Sequence, residues 1–461
     1  MTPADPANGD AARSHAASPS LVEWMDRQWG LSAASMRRAI SAVQLEKRRP
    51  GFGQTIRPVR GSVLASPALA AYDPDPDYFF HWLRDSAIVI DALRALIEAG
   101  DGGAGAPGLV KDFVRFSLAL GDLDGRELLR GGHFGASVKP DFQQFVRGES
   151  ELAAVIGPVV GAETRFNPDG TLDIIKWARP QHDGPALRAL AVMRLWRGGA
   201  FDDAPIRDAA RRLIETDLAF TLTFRSAPSF DIWEEEIGHH YYTRLVQFAA
   251  LGDGAEWLDM LGDGARAEDC RAASRELAAN LDRHWDAAAG FYRSRLGVAS
   301  GDAAKQLDIA TILAVNHARR ESGPHSVLDL RAQATLARLE TLFAADYPIN
   351  LARPPGRGAA MGRYAGDRYY SGGAYYFATL GAAEFFFRLA GAHDDPAAIE
   401  ALVARGDDFM ATVRAYTPAS GELSEQFDRA TGEQTSSKDL TWSHAALITA
   451  VAARRVALAR S

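Results

Sequence analysis

Apolar residues return at helical spacing along most of this chain, and strict alternation of apolar and polar residues is scarce and short. That periodicity confines the chain to a mainly α fold. The spacing predicts helices over 21–47, 85–100, 108–121, 185–198, 204–224, 240–252, 263–287, 307–318, 326–346, 373–391, 396–414 and 438–459. Twelve helices in succession suggest six antiparallel pairs. Some of the ends are marked: Asp183-Gly184-Pro185 puts a proline just inside a helix start, and Gly100, after Ile97-Glu98-Ala99, is placed as a C′ stop. Over 263–287, Cys270, Ala273, Leu277, Leu281 and Trp285 share one apolar face.

No Gly/Ser-rich or Pro-rich linker divides the 461 residues, so one domain is expected over 21–461, behind a disordered polar leader at 1–20. A formal charge of −8 argues against nucleic acid as the main partner, because phosphate binding needs a basic face. The single cysteine, Cys270, allows neither an intramolecular disulfide nor a cysteine-based metal cluster, and fits a small buried apolar residue. The first twenty residues contain no apolar run of the signal-peptide kind, and no stretch reaches the length of a membrane span. These features place the chain in the cytoplasm, away from membranes.

Between the helices lie long segments at 49–84, 122–183, 225–239, 347–372 and 415–437, where Trp, Tyr, Arg and acidic residues concentrate. Loops of that length in a compact domain usually serve function. Their composition is the chemistry of a sugar site, with flat rings for sugar faces and charged groups for hydroxyls. Cleaving a glycosidic bond needs two carboxyls, one to protonate the leaving oxygen and one to activate water or attack the sugar carbon. Glu234 stands in Asp231-Ile232-Trp233-Glu234-Glu235-Glu236, where neighbouring acids and an apolar ring would raise a carboxyl pKa. An acidic trio at a helix start is more often a solvated first turn favoured by the macrodipole. Glu425, in Gly421-Glu422-Leu423-Ser424-Glu425-Gln426-Phe427-Asp428, fits an ordinary acidic turn.

Six blocks in order go further. They are Pro76-Asp77-Tyr78-Phe79-Phe80-His81-Trp82-Leu83-Arg84-Asp85-Ser86, Arg179-Pro180-Gln181-His182-Asp183-Gly184-Pro185-Ala186, Asp231-Ile232-Trp233-Glu234-Glu235, Gly362-Arg363-Tyr364, Ser424-Glu425-Gln426-Phe427 and Asp439-Leu440-Thr441-Trp442-Ser443. Over roughly residues 60 to 455 this pattern resembles the glucoamylases, the inverting hydrolases of glycoside hydrolase family 15. The resemblance implies an all-α fold, an (α/α)6 toroid with its pocket built by loops at one end. It also implies an exo-acting hydrolase that releases β-glucose from the non-reducing ends of maltooligosaccharides or starch-type glucans.

Carried over by position, Glu234 is the general acid and Glu425 the general base. Inversion would need the two carboxyls about 6.5 to 9.5 Å apart, with room for a water. Arg84 and Asp85 match the pair that grips the terminal sugar's hydroxyls, and Arg363 matches an arginine holding the same sugar. Tyr78 and Trp82 resemble aromatic residues of the first subsite, and Trp177 resembles a tryptophan beside the acid. Arg179 and Glu235 resemble contacts to the next sugar. Trp233 belongs with the site through its place before Glu234, and Trp442 resembles a pocket-wall tryptophan, though packing would explain an aromatic residue there as well.

The departures are local. Gly372-Gly373-Ala374-Tyr375 stands where fungal members often have Gly-Asn-Pro-Trp, Ala178 stands where Gly is common, and Arg225-Ser226-Ala227-Pro228-Ser229 lacks the usual aromatic residues. These are expected to alter outer subsites, which leaves α-1,4 against α-1,6 preference open. Isomaltose hydrolysis is the alternative activity, trehalose hydrolysis a weaker one, and an inactive carbohydrate-binding protein the alternative of another class. No starch-binding domain, cofactor or metal is expected, since His239-His240 lacks a third ligand at suitable spacing.

Overall fold

Ser20 opens the first helix with a capping box: its hydroxyl accepts the Glu23 N–H at 3.2 Å, and the Glu23 carboxylate accepts the Ser20 N–H at 2.7 Å. The computed structural model describes residues 20–72, 74–130, 134–299 and 302–460. The leader expected over 1–20 therefore lies outside the described residues, apart from Ser20, which belongs to the helix.

Twelve helices of nine residues or more follow: α1 Leu21–Ala39, α2 Leu83–Glu98, α3 Ala106–Gly121, α4 Asp183–Arg197, α5 Ala204–Phe224, α6 Tyr241–Met260, α7 Gly264–Asp282, α8 Ala310–Ala318, α9 Leu330–Asp346, α10 Tyr376–Gly391, α11 Pro396–Tyr416 and α12 Thr441–Leu458. Each coincides with a predicted helix. The even-numbered helices touch in a closed ring, α2 to α4, α4 to α6 and onward until α12 returns to α2. The odd-numbered helices pack outside, α7 on α6, α9 beside α8, α11 on α10 and α1 on α12. This is the (α/α)6 toroid.

Burial follows from that placement. On α10 every residue from Tyr376 to Phe385 is buried, as a helix enclosed by neighbours on all sides requires. On α7 only a stripe is buried, including Cys270, Ala273, Leu277 and Leu281. Trp285 lies beyond its end, in the two-residue strand Trp285–Asp286 that pairs with Phe291–Tyr292, so it does not extend the α7 face.

Two other boundaries depart from the periodicity. α1 stops at Ala39 rather than 47, where Ser41 takes a left-handed φ of 55°. α6 runs on through Gly252 and Gly254 to Met260. At Gly254 a Cβ would sit 2.6 Å from the Leu218 side chain, so this glycine permits close approach of α5 instead of ending α6.

Short antiparallel pairs deliver the chain to the inner helices. His81–Trp82, paired with Arg165–Phe166, runs into α2; Ile237–His240, between Ser229–Phe230 and Arg295–Leu296, runs into α6; Ala374–Tyr375, paired with Gln426–Phe427, runs into α10. The N-termini of the inner ring thereby gather at one end with the long loops around them. There α2 and α4 meet closely, since a Cβ on Gly184 would lie 2.6 Å from the Leu83 Cβ. Gly184→Ala should cost about 1–3 kcal/mol by overpacking. Urea denaturation checks this, and an unchanged midpoint would show that the α2–α4 contact has slack.

Candidate active site

The gathered N-termini surround a cavity of about 340 Å³. Its wall takes Tyr78, Trp82, Arg84 and Asp85 from the entry and first turn of α2, and Trp177 and Ala178 from the segment before α4. The loop before α6 adds Trp233, Glu234 and Glu235; Arg363 and Tyr369 precede α10; Glu425 and Trp442 flank the start of α12. Eleven of the twelve residues singled out by sequence thus meet in one place.

Glu234 is held from three directions. Its Oε1 accepts the Trp82 indole N–H at 2.8 Å and the Arg84 Nη2 at 3.1 Å, and its Oε2 accepts the Trp177 indole N–H. Its backbone stands at a φ of 66°, uncommon for a residue with a Cβ. The loop is braced by Asp231, whose carboxylate accepts the N–H groups of Glu235 and Glu236 at 2.8 and 3.1 Å.

The acidic trio does not act as a cluster. Glu235 is bound by Arg363 Nη2 at 2.9 Å, by the Tyr364 hydroxyl and by Lys305, while Glu236 pairs with Arg295. Each neighbour has its own cation, so the mutual repulsion expected around Glu234 is offset locally.

Glu425 has a different setting. Ser436 donates to its Oε2, and its own N–H reaches the Ser437 carbonyl at 2.7 Å. Withdrawal from water pushes its carboxyl up to about 7, against the opposing effects of the Ser436 hydrogen bond and the Arg363 charge.

Arg84 and Asp85 are both buried in the cavity wall, their charged atoms 3.4 Å apart. Arg84 also reaches Gln181 at 3.0 Å and Asp183 at 3.4 Å. Burial pushes Asp85 up to about 6 despite its arginine, and its Oδ2 accepts no hydrogen bond. Arg363 is clamped by Asp367, Nε to Oδ2 at 2.7 Å, with the Trp233 ring 5.3 Å from its guanidinium carbon. Trp442 stacks on Phe377 at 4.3 Å and 7°, so it is at once core and cavity floor.

Arg179 does not reach the cavity wall. Its guanidinium is taken by Glu163 at 2.6 Å, Asp173 at 3.1 Å and the Ile175 carbonyl at 3.3 Å. It forms part of a buried network. Arg165 shares Asp173 at 2.8 Å and lies over the Trp177 ring at 3.6 Å, which steadies one of the donors to Glu234. Tyr375, in one departing segment, also stands behind the wall, donating towards Asp367 and packing near Trp233.

Sequence reasoning missed Tyr369, whose hydroxyl lies 2.7 Å from that of Tyr78, and Phe377, Ile232 and Leu440 in the cavity lining. Among the described residues no group of three His, Cys, Asp or Glu is arranged to hold a metal ion, and His240 Nε2 faces the Ser229 carbonyl at 3.1 Å. No helix among them is long and apolar enough to cross a membrane.

The model of the family described as Glycosyl hydrolases family 15 matches residues 52–102, 161–396 and 393–452. The chain belongs to that family. It is a glycoside hydrolase. Glucoamylase 1 of Rhizopus oryzae is 26% identical over 96% of this chain and 73% of its own length. The glucoamylase structure from Hormoconis resinae superposes with a TM-score of 0.75 at 25% identity, covering 94% of this chain and 74% of that one. The Saccharomycopsis fibuligera glucoamylase shares the fold with a TM-score of 0.76 at 23% identity, over 96% and 97%.

A carboxyl whose folded pKa lies above its unfolded value binds protons more tightly when folded, so stability falls as pH rises between the two values. For Glu425 that window runs from about 4.5 to about 7. Glu425→Gln removes the penalty and should raise Tm at pH 8 by more than at pH 5. Equal shifts at both pH values would show that Glu425 titrates normally.

Proposed function

We propose that this family 15 member is a glucan 1,4-α-glucosidase that removes glucose singly from the non-reducing ends of maltooligosaccharides or starch- and glycogen-type glucans. The observation that carries the reading is that Glu234 and Glu425 open onto one cavity together with the Arg84–Asp85 pair. In this reading Glu234 protonates the glycosidic oxygen. Glu425 takes a proton from a water that attacks the opposite face of the sugar, so the product is β-glucose.

Asp85 Oδ2, buried and without a hydrogen-bond partner, supports a role in accepting a hydroxyl of the terminal sugar. Arg84, paired with Asp85 and Asp183, and Arg363, paired with Asp367, would donate to the same sugar in charge-assisted bonds. Tyr78 and Trp82 offer ring surface beside it, and Trp177 borders the acid. Glu235, balanced by Arg363 and Lys305, stands where the next sugar would lie.

The cavity floor of Ile232, Phe377, Leu440 and Trp442 supports exo action, since a chain end enters and cannot thread through. The residues of the reaction come from 21–461 as one catalytic domain. A lone cysteine fits a reducing compartment, and we place the enzyme in the cytoplasm.

Proton NMR during the first minutes with maltotriose, isomaltose and trehalose in parallel tests the whole reading. β-Glucose with maltose from maltotriose is the expected result. β-Glucose chiefly from isomaltose would move the preferred linkage to α-1,6, and α-glucose would overturn inversion. Glu425→Gln should lose most of kcat with KM largely kept, and Glu234→Gln should be worst for poor leaving groups. Ordinary turnover in both variants would remove the two glutamates from the mechanism.

A further inference from the structure

Asp308 lies outside the cavity wall, yet it joins two of the loops that form it. It precedes α8, where its Oδ1 accepts the N–H of Ala310, the first helical residue, at 2.7 Å. Its Oδ2 accepts the Trp233 indole N–H at 2.8 Å. Its backbone forms an isolated bridge with Tyr364, and the next residue, Ile309, donates its N–H to the Arg363 carbonyl at 2.9 Å. One residue therefore fixes the ring before Glu234 and the backbone of the segment whose side chains bind Glu235.

The Trp233 ring lies near parallel to Phe377, 6.1 Å away at 23°, with Tyr375 at 6.1 Å and Arg363 at 5.3 Å. Stacking of this kind sets the plane of an indole and leaves it free to turn within that plane. The bond to Asp308 supplies the missing constraint. It matters at this position because Glu234 follows directly, in a left-handed conformation that its surroundings must hold. Asp308 is kept at a cost, since burial pushes its carboxyl up to about 8.

We propose that Asp308 is a positioning residue for catalysis, acting through the Trp233 indole to set the aim of the Glu234 carboxyl. This rests on the reading of Glu234 as the proton donor. A residue that acts only through geometry should affect the chemical step and leave substrate binding almost untouched.

The test is a double-mutant cycle of Asp308→Asn and Trp233→Phe, with kcat and KM on maltotriose. Asparagine retains one oxygen for the Ala310 N–H but cannot accept on both sides. Asp308→Asn is expected to lower kcat about 10- to 100-fold with KM within about twofold. In the Trp233→Phe background the same change should cost less than about twofold, because the bond is already gone. Full multiplicative losses in the double variant, or a lowered Tm with kcat intact, would overturn the proposal. If Asp308→Asn does not fold, Trp233→Phe alone decides: it keeps an aromatic ring for the stack and removes the indole N–H together with the pyrrole ring that carries it, and an unchanged kcat overturns the idea. Wild-type turnover in Glu234→Gln would sink the underlying reading and this inference together, whereas an inactive Glu234→Gln beside a multiplicative cycle sinks this inference alone.

Discussion

Arg84 is bound to three carboxylates carried by three separate stretches of chain: Asp85 in its own helix, Asp183 at the start of α4 and Glu234 in the loop before α6. A guanidinium withdrawn from water is tolerable only when its charge is balanced, and removing one partner of such a buried arrangement typically costs about 3–5 kcal/mol. The closed inner ring is what makes the arrangement possible, because it brings the N-termini of α2, α4 and α6 to the same end. The proposed acid is thus part of the element that knits the ring's mouth together. Its position is tied to the packing of two inner helices.

Around that centre the support is aromatic on one side and ionic on the other. Trp82 and Trp177 present their indole N–H groups to Glu234, and both rings lie against Arg165, which Asp173 neutralises. Asp173 in turn holds Arg179, and Glu163 joins Arg179 to Arg147. A chain of buried ion pairs thus stands directly behind the cavity wall. Such pairs add little net stability, but they fix orientation, since each planar guanidinium accepts few geometries.

Much of this was legible in the sequence, for identifiable reasons. Helical periodicity reports burial, so the twelve helices of a fold made of helices were readable from apolar spacing alone. Their ends were less so. Ser41 terminates α1 through a left-handed backbone that serine rarely signals, and α6 runs on past the predicted end at 252 through Gly254, a packing contact with Leu218. The cavity residues were readable because they occur in contiguous blocks beside helix starts. Arg179 occurs in such a block too, but block membership says nothing about direction, and its side chain turns inward to Glu163 and Asp173. Tyr369 and Asp308 were invisible for the opposite reason. Each reaches the site from a segment without a motif, and only the closure of the ring brings it there.

The two proposed catalytic carboxyls differ in their surroundings in a way that the local sequence did not signal. Three consecutive acids point to Glu234 as the group whose charge is resisted. In the fold, Glu235 and Glu236 each turn to a cation of their own, and Glu234 is met by three N–H donors. Glu425, unremarkable in sequence, has one hydroxyl donor and little water, and it is the carboxyl pushed up to about 7. A base in that setting is held in a partly dry wall with little to stabilise its charge. When it ionises its negative charge is weakly compensated, and a weakly compensated carboxylate is the more ready to take a proton from a water placed against it. The burial that costs stability at Glu425 is therefore the property that suits it to the role proposed for it.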